Sequence, residues 1–292
     1  MSEAKLILVF GATGQQGGAV ADALLERGYR IRAATRHPDS EAAIALRERG
    51  AEIVQADFAD STSLQAAMLG VDTVYLMGTP FEVGIEREVA QGIAAIDAAK
   101  AAGIEHLIYS SVASANQATG IPHFESKFEV EQFLAASGLN YTIVAPVFFM
   151  ENLLQPWAGS LTEARLTLAM PEDRTLQQIS VASIGSFVAA IVDRGASEYG
   201  KRYDIAGADL SGASAAAVLG HVSGRSFEYQ GFPPDALREQ SEDMALMFEW
   251  FIETGYSVDL ARLRTEFPEV KWLSFEQWAE TVHWPSPALQ AD

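Results

Sequence analysis

Leu6-Ile7-Leu8-Val9-Phe10-Gly11-Ala12-Thr13-Gly14-Gln15-Gln16-Gly17 decides the reading of this chain. Five apolar residues in a row, without the alternation of a half-exposed strand, predict a strand buried on both faces. Gly11 ends it. From Gln15 onward Val20, Leu24 and Leu25 recur at helical spacing until Gly28. Each glycine has a task in such a strand–turn–helix. Gly11 permits a tight exit, Gly14 lets a pyrophosphate approach the backbone, and Gly17 lets the helix pack closely on the strand. The helix N-terminus adds N–H groups and a partial positive charge for phosphates. Three glycines alone are weak evidence, but this triplet sits in the first βαβ unit, the context a dinucleotide fingerprint requires. Thr13, Gln15 and Gln16 complete the candidate turn.

Outward from that turn, two periods alternate. Strands are expected at 29–35, 51–56, 73–77, 105–110 and 141–145. Helices are expected at 40–49, 61–69, 85–102 and 124–136, several of them closed by glycine. Short strand–helix alternation predicts right-handed crossovers and a doubly wound parallel sheet of the Rossmann type. A (β/α)₈ barrel would need eight repeats, and regularity stops after the sixth strand. No fixed repeat supports a solenoid. Beyond Pro146 helical pieces at 181–193, 213–222, 234–253 and 275–283 mix with short strands at 201–206 and 226–230, and all five tryptophans lie in this half. The expected division is a dinucleotide-binding domain over 1–150 and a smaller C-terminal α/β lobe over 151–292 for substrate or partner. Some crossing of the chain between them is expected, and the lobe is expected to cover the carboxyl ends of the sheet.

The chain has 292 residues, with Lys+Arg 20 against Asp+Glu 39 and a formal net charge of −19. That balance argues against direct nucleic-acid binding and against docking on anionic lipid. There is no cysteine, which excludes disulfides, thiolate metal sites and cysteine nucleophiles and fits a reducing compartment. The first residues show no cleavable leader, and no run approaches the roughly 20 apolar residues of a membrane span. The expectation is a soluble, cytoplasmic protein, with a homodimer compatible but not specified. His221 and His283 lack metal-ligand spacing, no metal is expected, and the nucleophile elbow of a hydrolase is absent. The cluster Met247, Phe248, Trp250 and Phe251 reads as core at helical spacing, although it could line a substrate cleft.

The end of the second strand reads Ala34-Thr35-Arg36-His37-Pro38. A site for NAD usually places a carboxylate there for the ribose 2′-hydroxyl. Arg36 instead offers a fork for a 2′-phosphate, so NADP(H) is the expected cofactor. In a strongly acidic chain, local cations must attract that polyanion; Arg36 and Lys127 are the candidates, and His37 is a weaker third. Asp57 and Phe58 follow the third strand, where adenine would lie, although Asp57 could equally serve the helix that follows; Asp60 and Ser61 are better placed to cap it. Met77, Gly78 and Thr79 end the fourth strand, where glycine would admit the ribose and nicotinamide side.

The G-x-x-G-x-x-G spacing of Gly11, Gly14 and Gly17 resembles the extended and atypical short-chain dehydrogenases/reductases. These families carry a Tyr-x-x-x-Lys pair after the fifth strand and a serine at that strand's end. Here Lys127 matches the lysine, His123 stands where tyrosine would, and Ser110 and Ser111 end the strand. Together with Thr35-Arg36, His123-Phe124-x-x-Lys127 and Pro146-x-x-Phe149-Met150-Glu151-Asn152, the chain resembles the NmrA-like family over nearly its whole length, up to Trp278. The resemblance implies a Rossmann domain plus a small lobe with NADP(H) between them. It implies that Lys127 contacts the nicotinamide ribose and that Pro146, Phe149 and Asn152 surround the nicotinamide end. The family includes co-regulators and redox sensors as well as reductases of quinones, dyes and phenolics. His123 could donate a proton or simply begin its helix after Pro122. Ser110 could orient a substrate or merely end its strand. The missing tyrosine weighs against ordinary alcohol dehydrogenation, but hydride transfer to a quinone or conjugated acceptor needs no such acid. The leading expectation is therefore a reductase of a small electrophile, with Lys127, His123 and Ser110 as catalytic candidates. The alternative is a non-enzymatic redox sensor or transcriptional co-regulator acting through protein partners.

Overall fold

β1 (Leu6–Phe10) is buried along its whole length because it has a parallel strand on either side: β2 (Arg30–Thr35) pairs with one edge and β4 (Thr73–Met77) with the other. In the computed structural model, residues 5–284 are described. In chain order, α1 (Gln15–Glu26) joins β1 to β2. α2 (Glu41–Glu48), β3 (Glu52–Gln55) and α3 (Ser61–Met68) lead to β4. They are followed by α4 (Pro80–Val83), α5 (Ile85–Ala102), β5 (His106–Ser110), α6 (Pro122–Ala136) and β6 (Tyr141–Pro146). Ser40 and Asp60 cap α2 and α3 by accepting from Ala43 N and Thr62 N, and Gly103 closes α5 in a left-handed conformation.

After β6 come β7 (Phe148–Phe149), β8 (Gly159–Ser160), β9 (Arg165–Leu168), β10 (Thr175–Ile179), α7 (Val181–Arg194) and β11 (Lys201–Ile205). β12 (Ala208–Ser211), α8 (Gly212–Ser223), β13 (Glu228–Gly231), α9 (Glu242–Glu253), α10 (Leu260–Glu266) and α11 (Phe275–Thr281) complete the described chain. The chain divides into two compact units. The first takes the described residues up to Pro146 with Val181–Asp204 and Phe267–Lys271. The second takes Val147–Ser180, Ile205–Glu266 and the described residues from Trp272.

The first unit is a doubly wound Rossmann-type α/β fold. Its parallel sheet runs β3-β2-β1-β4-β5-β6-β11. The strand order reverses between β1 and β4, and the crevice at their carboxyl ends is where such sheets bind ligands. One face of the sheet is covered by a core that includes Leu8, Phe10, Leu64, Leu76, Ile96, Leu107, Tyr109 and Val130. On α7, Gly185 has no room for a side chain, because a Cβ there would run into the backbone of Ala19 on α1. That close approach explains why α7 belongs to this unit although its sequence follows the change of pattern at Pro146.

The second unit holds two three-stranded sheets, β12-β10-β7 and β13-β9-β8. Phe148, Phe251, Trp250 and Tyr256 form a chain of ring contacts, and Met247, Phe248 and Phe251 are buried, as their spacing predicts. The helical piece expected over 234–253 is broken. Pro234–Leu237 forms a 3₁₀ turn, and α9 starts afresh behind Ser241, whose hydroxyl accepts from Met244 N. The strands β7–β10 and β12 are short pieces that the sequence does not announce. No helix among the described residues is long and apolar enough to cross a membrane.

Candidate cofactor-binding site

The glycine turn has the geometry its sequence demands. Gly11 adopts φ +67°, a left-handed conformation that other residues enter at a cost, and Gly14 N donates to Gly11 O over 2.9 Å. A Cβ on Gly17 would collide with the backbone of Gly11 and Phe10. Gly14 precedes α1 with no side-chain cap, so the first-turn N–H groups of Gln15, Gln16 and Gly17 have no capping side chain in front of them. Such a turn fits a pyrophosphate. Around it, the Thr13 hydroxyl lies 3.5 Å from that of Thr35, and buried Gln16 donates to Ser110 Oγ over 2.7 Å. The turn is thus tied to the ends of β2 and β5.

At the exit of β2, Arg36 is half exposed and forms an ion pair with Glu82 of α4, Nη2 to Oε2 3.0 Å. His37 N donates to Thr35 Oγ1, and its side chain is exposed. Asp57 folds its carboxylate back onto Ala59 N over 2.9 Å, while Asp60 caps α3. Phe58 stacks on Phe10 with ring centroids 4.8 Å apart. Beside it, Phe58, Met77, Gly78, Glu88, Gln91 and Tyr109 line a cavity with room for roughly one water. Thr79 stands directly before Pro80, the first residue of α4, and its side chain makes no capping bond.

Lys127 is held by a partner absent from the sequence reading. Glu88 of α5 is 1% exposed. It accepts from Lys127 Nζ over 2.7 Å and, on its other oxygen, from Ser126 Oγ over 2.6 Å. A Cβ on Gly78 would lie against the Glu88 carboxylate, so that glycine makes room for the pair at the mouth of β4. Lys127 therefore presents a matched ammonium, not a free positive charge, and Arg36 is matched likewise. Both cations named from the sequence are answered by glutamates within seven residues of one another, on the segment after β4. The signal for Glu88 was available: Glu88, Gly92, Ala95 and Ala99 fall at helical spacing on the buried stripe of α5, and a carboxylate on an apolar stripe needs a partner. The partner itself comes from α6, 39 positions away.

His123 is 6% exposed, with its ring between those of Phe81 (5.0 Å) and Phe124 (4.8 Å). Ser110 ends β5 with its hydroxyl engaged by Gln16, close to the buried Tyr75 phenol, which burial pushes above its ordinary range. Tyr109 is raised too, first by burial and then by Glu88 and Glu131. Its hydroxyl has no hydrogen-bond partner among the described residues. Ser111 donates to Glu131, which also receives Arg202 Nε over 2.8 Å; Arg202 in turn donates to Val112 O and pairs with Asp204. This network anchors the loop after β5, in which Ser114 and Ala118 hold left-handed φ values of 64° and 52°. Pro146 ends β6 and accepts from Ala113 N.

Gly11, Thr13, Gly14, Gln15, Gln16, Gly17, Arg36, Asp57, Phe58, Met77, Gly78, Thr79, Ser110, His123, Lys127 and Pro146 all belong to the first unit. Phe149 and Asn152 belong to the second, on β7 and the 3₁₀ turn that follows it, where the neighbouring Glu151 accepts from Trp278 Nε1. No group of His, Asp and Glu among the described residues could hold a metal ion.

The model of the NmrA-like family matches residues 3–279. A (4-alkanoyl-5-oxo-2,5-dihydrofuran-3-yl)methyl phosphate reductase of Streptomyces griseus is 30% identical over 236 residues, 80% of this chain and 79% of that protein. The crystal structure of an Escherichia coli NADPH-dependent quinone oxidoreductase complexed with NADPH superposes with a TM-score of 0.77 at 27% identity, covering 94% of this chain and 98% of that one. The structure of NmrA, a negative transcriptional regulator, in complex with NADP superposes with a TM-score of 0.80 at 21% identity and 96% coverage of both chains.

Proposed function

We propose that this chain, which belongs to the NmrA-like family, is an NADP(H)-dependent reductase that delivers hydride to a small electrophile such as a quinone or a conjugated carbonyl. The observation that carries the reading is the uncapped α1 behind a glycine turn too tight for side chains, with Arg36 and not a carboxylate at the end of the neighbouring strand. The similar quinone oxidoreductase was crystallised with NADPH. The Streptomyces reductase is named for a 5-oxo-2,5-dihydrofuran bearing an alkanoyl group, an electrophile of the conjugated-carbonyl class.

In this reading the first-turn N–H groups of α1 bind the pyrophosphate, and Arg36 binds the 2′-phosphate. Asp57 and Phe58 flank the adenine, while Gly78 gives its side-chain space to the Glu88 carboxylate that holds Lys127 near the nicotinamide ribose. Lys127 donates to the ribose hydroxyls while Glu88 holds its ammonium in place. Bound NADPH supplies the hydride. Two-electron reduction of a quinone consumes that hydride and one proton; the proton comes from solvent or from His123, and Ser110 fixes the glycine turn through Gln16. Cytoplasmic operation is part of this reading, since a chain without cysteine has no disulfide to form.

The test is a fluorescence titration with NADPH followed by absorbance at 340 nm with a panel of quinones and enones. Acceptor-dependent loss of absorbance supports the reductase. Tight binding with a flat trace across the panel replaces it with a redox sensor acting through protein partners. Absence of NADPH binding overturns both readings.

A further inference from the structure

α4 is a single helical turn between two glycines. Gly78 precedes it by two residues, and Gly84, with φ +85°, ends it. The turn is closed by Val83 N to Thr79 O (3.2 Å) and Gly84 N to Pro80 O (2.8 Å). Its side chains reach in two directions. Phe81, 68% exposed, lies against the ring of His123 at the start of α6, while Glu82 reaches Arg36 at the end of β2. Since β1 and β4 lie between β2 and β5 in the sheet, the turn bridges elements on either side of the strand-order reversal. Thr13 of the glycine turn touches Thr35, the residue before Arg36, so the ion pair stands beside the phosphate-binding turn.

An NAD-type site needs a carboxylate near the ribose 2′-hydroxyl, and an NADP-type site needs a cation there. The exit of β2 supplies the cation alone, but the fold brings a carboxylate to the same guanidinium from 46 positions away. We propose that Glu82 is a cofactor-specificity residue: its carboxylate holds the face of Arg36 that a 2′-phosphate would take. NADPH must displace it, whereas NADH leaves the Arg36–Glu82 pair in place. The inference rests on the NADP(H) reading above.

The pair is suited to exchange. The side chains are 57% and 55% exposed, and an ion pair this open contributes little to folding, so breaking it leaves the fold intact. A 2′-phosphate brings nearly two negative charges and a planar-fork match to arginine, so it wins the guanidinium when present, at reduced affinity. Glu82 thereby moves the preference between the two nucleotides toward parity.

Dissociation constants for NADPH and NADH, measured by fluorescence titration, test this in the wild type, Glu82→Gln, Arg36→Gln and the double variant, at 50 mM and 1 M salt. Glu82→Gln is expected to tighten NADPH by about two- to fivefold at low salt and to leave NADH within about 1.5-fold. The gain shrinks at 1 M salt, where the Debye length is about 3 Å. In the Arg36→Gln background it disappears, because the competition runs through the guanidinium. An unchanged NADPH/NADH ratio in Glu82→Gln overturns the proposal. An equal gain without Arg36 also overturns it, leaving Glu82 as one negative charge among many. Wild-type protein that binds neither nucleotide overturns the functional reading itself, a result distinct from both.

Discussion

Replacing Lys127 with Met strands a carboxylate in the protein interior. Glu88 is 1% exposed and has two donors, the Lys127 ammonium at 2.7 Å and the Ser126 hydroxyl at 2.6 Å. Removing the ammonium leaves a full negative charge with one neutral donor in surroundings that include Gly78, Gly92 and Tyr109. Breaking a buried pair on one side costs about 3–5 kcal/mol, because desolvation of the surviving ion is no longer offset. In a protein of this size each kcal/mol moves Tm by about 2–4 °C, so Lys127→Met is expected to melt roughly 6–20 °C below wild type. Glu88→Gln leaves the complementary charge stranded and is expected to fall in the same range. The double variant Glu88→Gln/Lys127→Met leaves neither charge at this position and is expected to recover most of the loss, while NADPH affinity stays low on the proposed role of Lys127 as a donor to the ribose. Thermal unfolding at pH 7 followed by circular dichroism gives all four corners of the cycle. A single variant that melts within about 2 °C of wild type, or a double variant whose loss is the sum of the singles, would refute the argument that the two charges compensate one another.

Three further outcomes follow from the geometry. Gly17→Ala pushes a Cβ into the backbone of Gly11 and Phe10; it is expected to cost about 1–3 kcal/mol and to abolish NADPH binding, and denaturant titration beside nucleotide titration shows both. His106 is buried in β5 with Nε2 2.8 Å from Thr142 Oγ1, and burial, helped by Lys5, lowers its pKa to about 4. The unfolded chain takes up this proton near pH 6.5 and the folded one only near pH 4, so the stability this group contributes is present above pH 6.5 and lost as pH falls toward 4. The loss reaches up to about 3 kcal/mol, and the wild-type minus His106→Asn difference in urea midpoints across that window reports it. His123→Phe keeps an aromatic ring between Phe81 and Phe124. It is expected to leave the NADPH dissociation constant within about twofold and to lower acceptor turnover by about 10²-fold if the proton comes from the imidazole; equal turnover assigns that proton to solvent.

The chain by itself determined the local elements, because their causes are local. Five apolar residues in succession specify β1 as an interior strand; Gly11, at positive φ, and Gly17, with no room for a Cβ, specify a tight turn; Ser40 and Asp60 mark helix starts by the chemistry of their own side chains. Strand–helix alternation then limits the first unit to a parallel sheet. The order of the added seventh strand, the return of α7 onto α1 through Gly185, and the break at Ser241 inside an apolar helical pattern depend on surfaces that meet only after folding. The electrostatic character of the candidate site belongs to this second kind. Arg36 and Lys127 read as free cations in a chain of net charge −19, yet each faces a glutamate brought from 46 and 39 positions away. Sequence fixes which charges exist, but Coulomb energy depends on distance and on the water removed from between them. Those two quantities are set only when α4, α5 and α6 pack around the carboxyl ends of the strands.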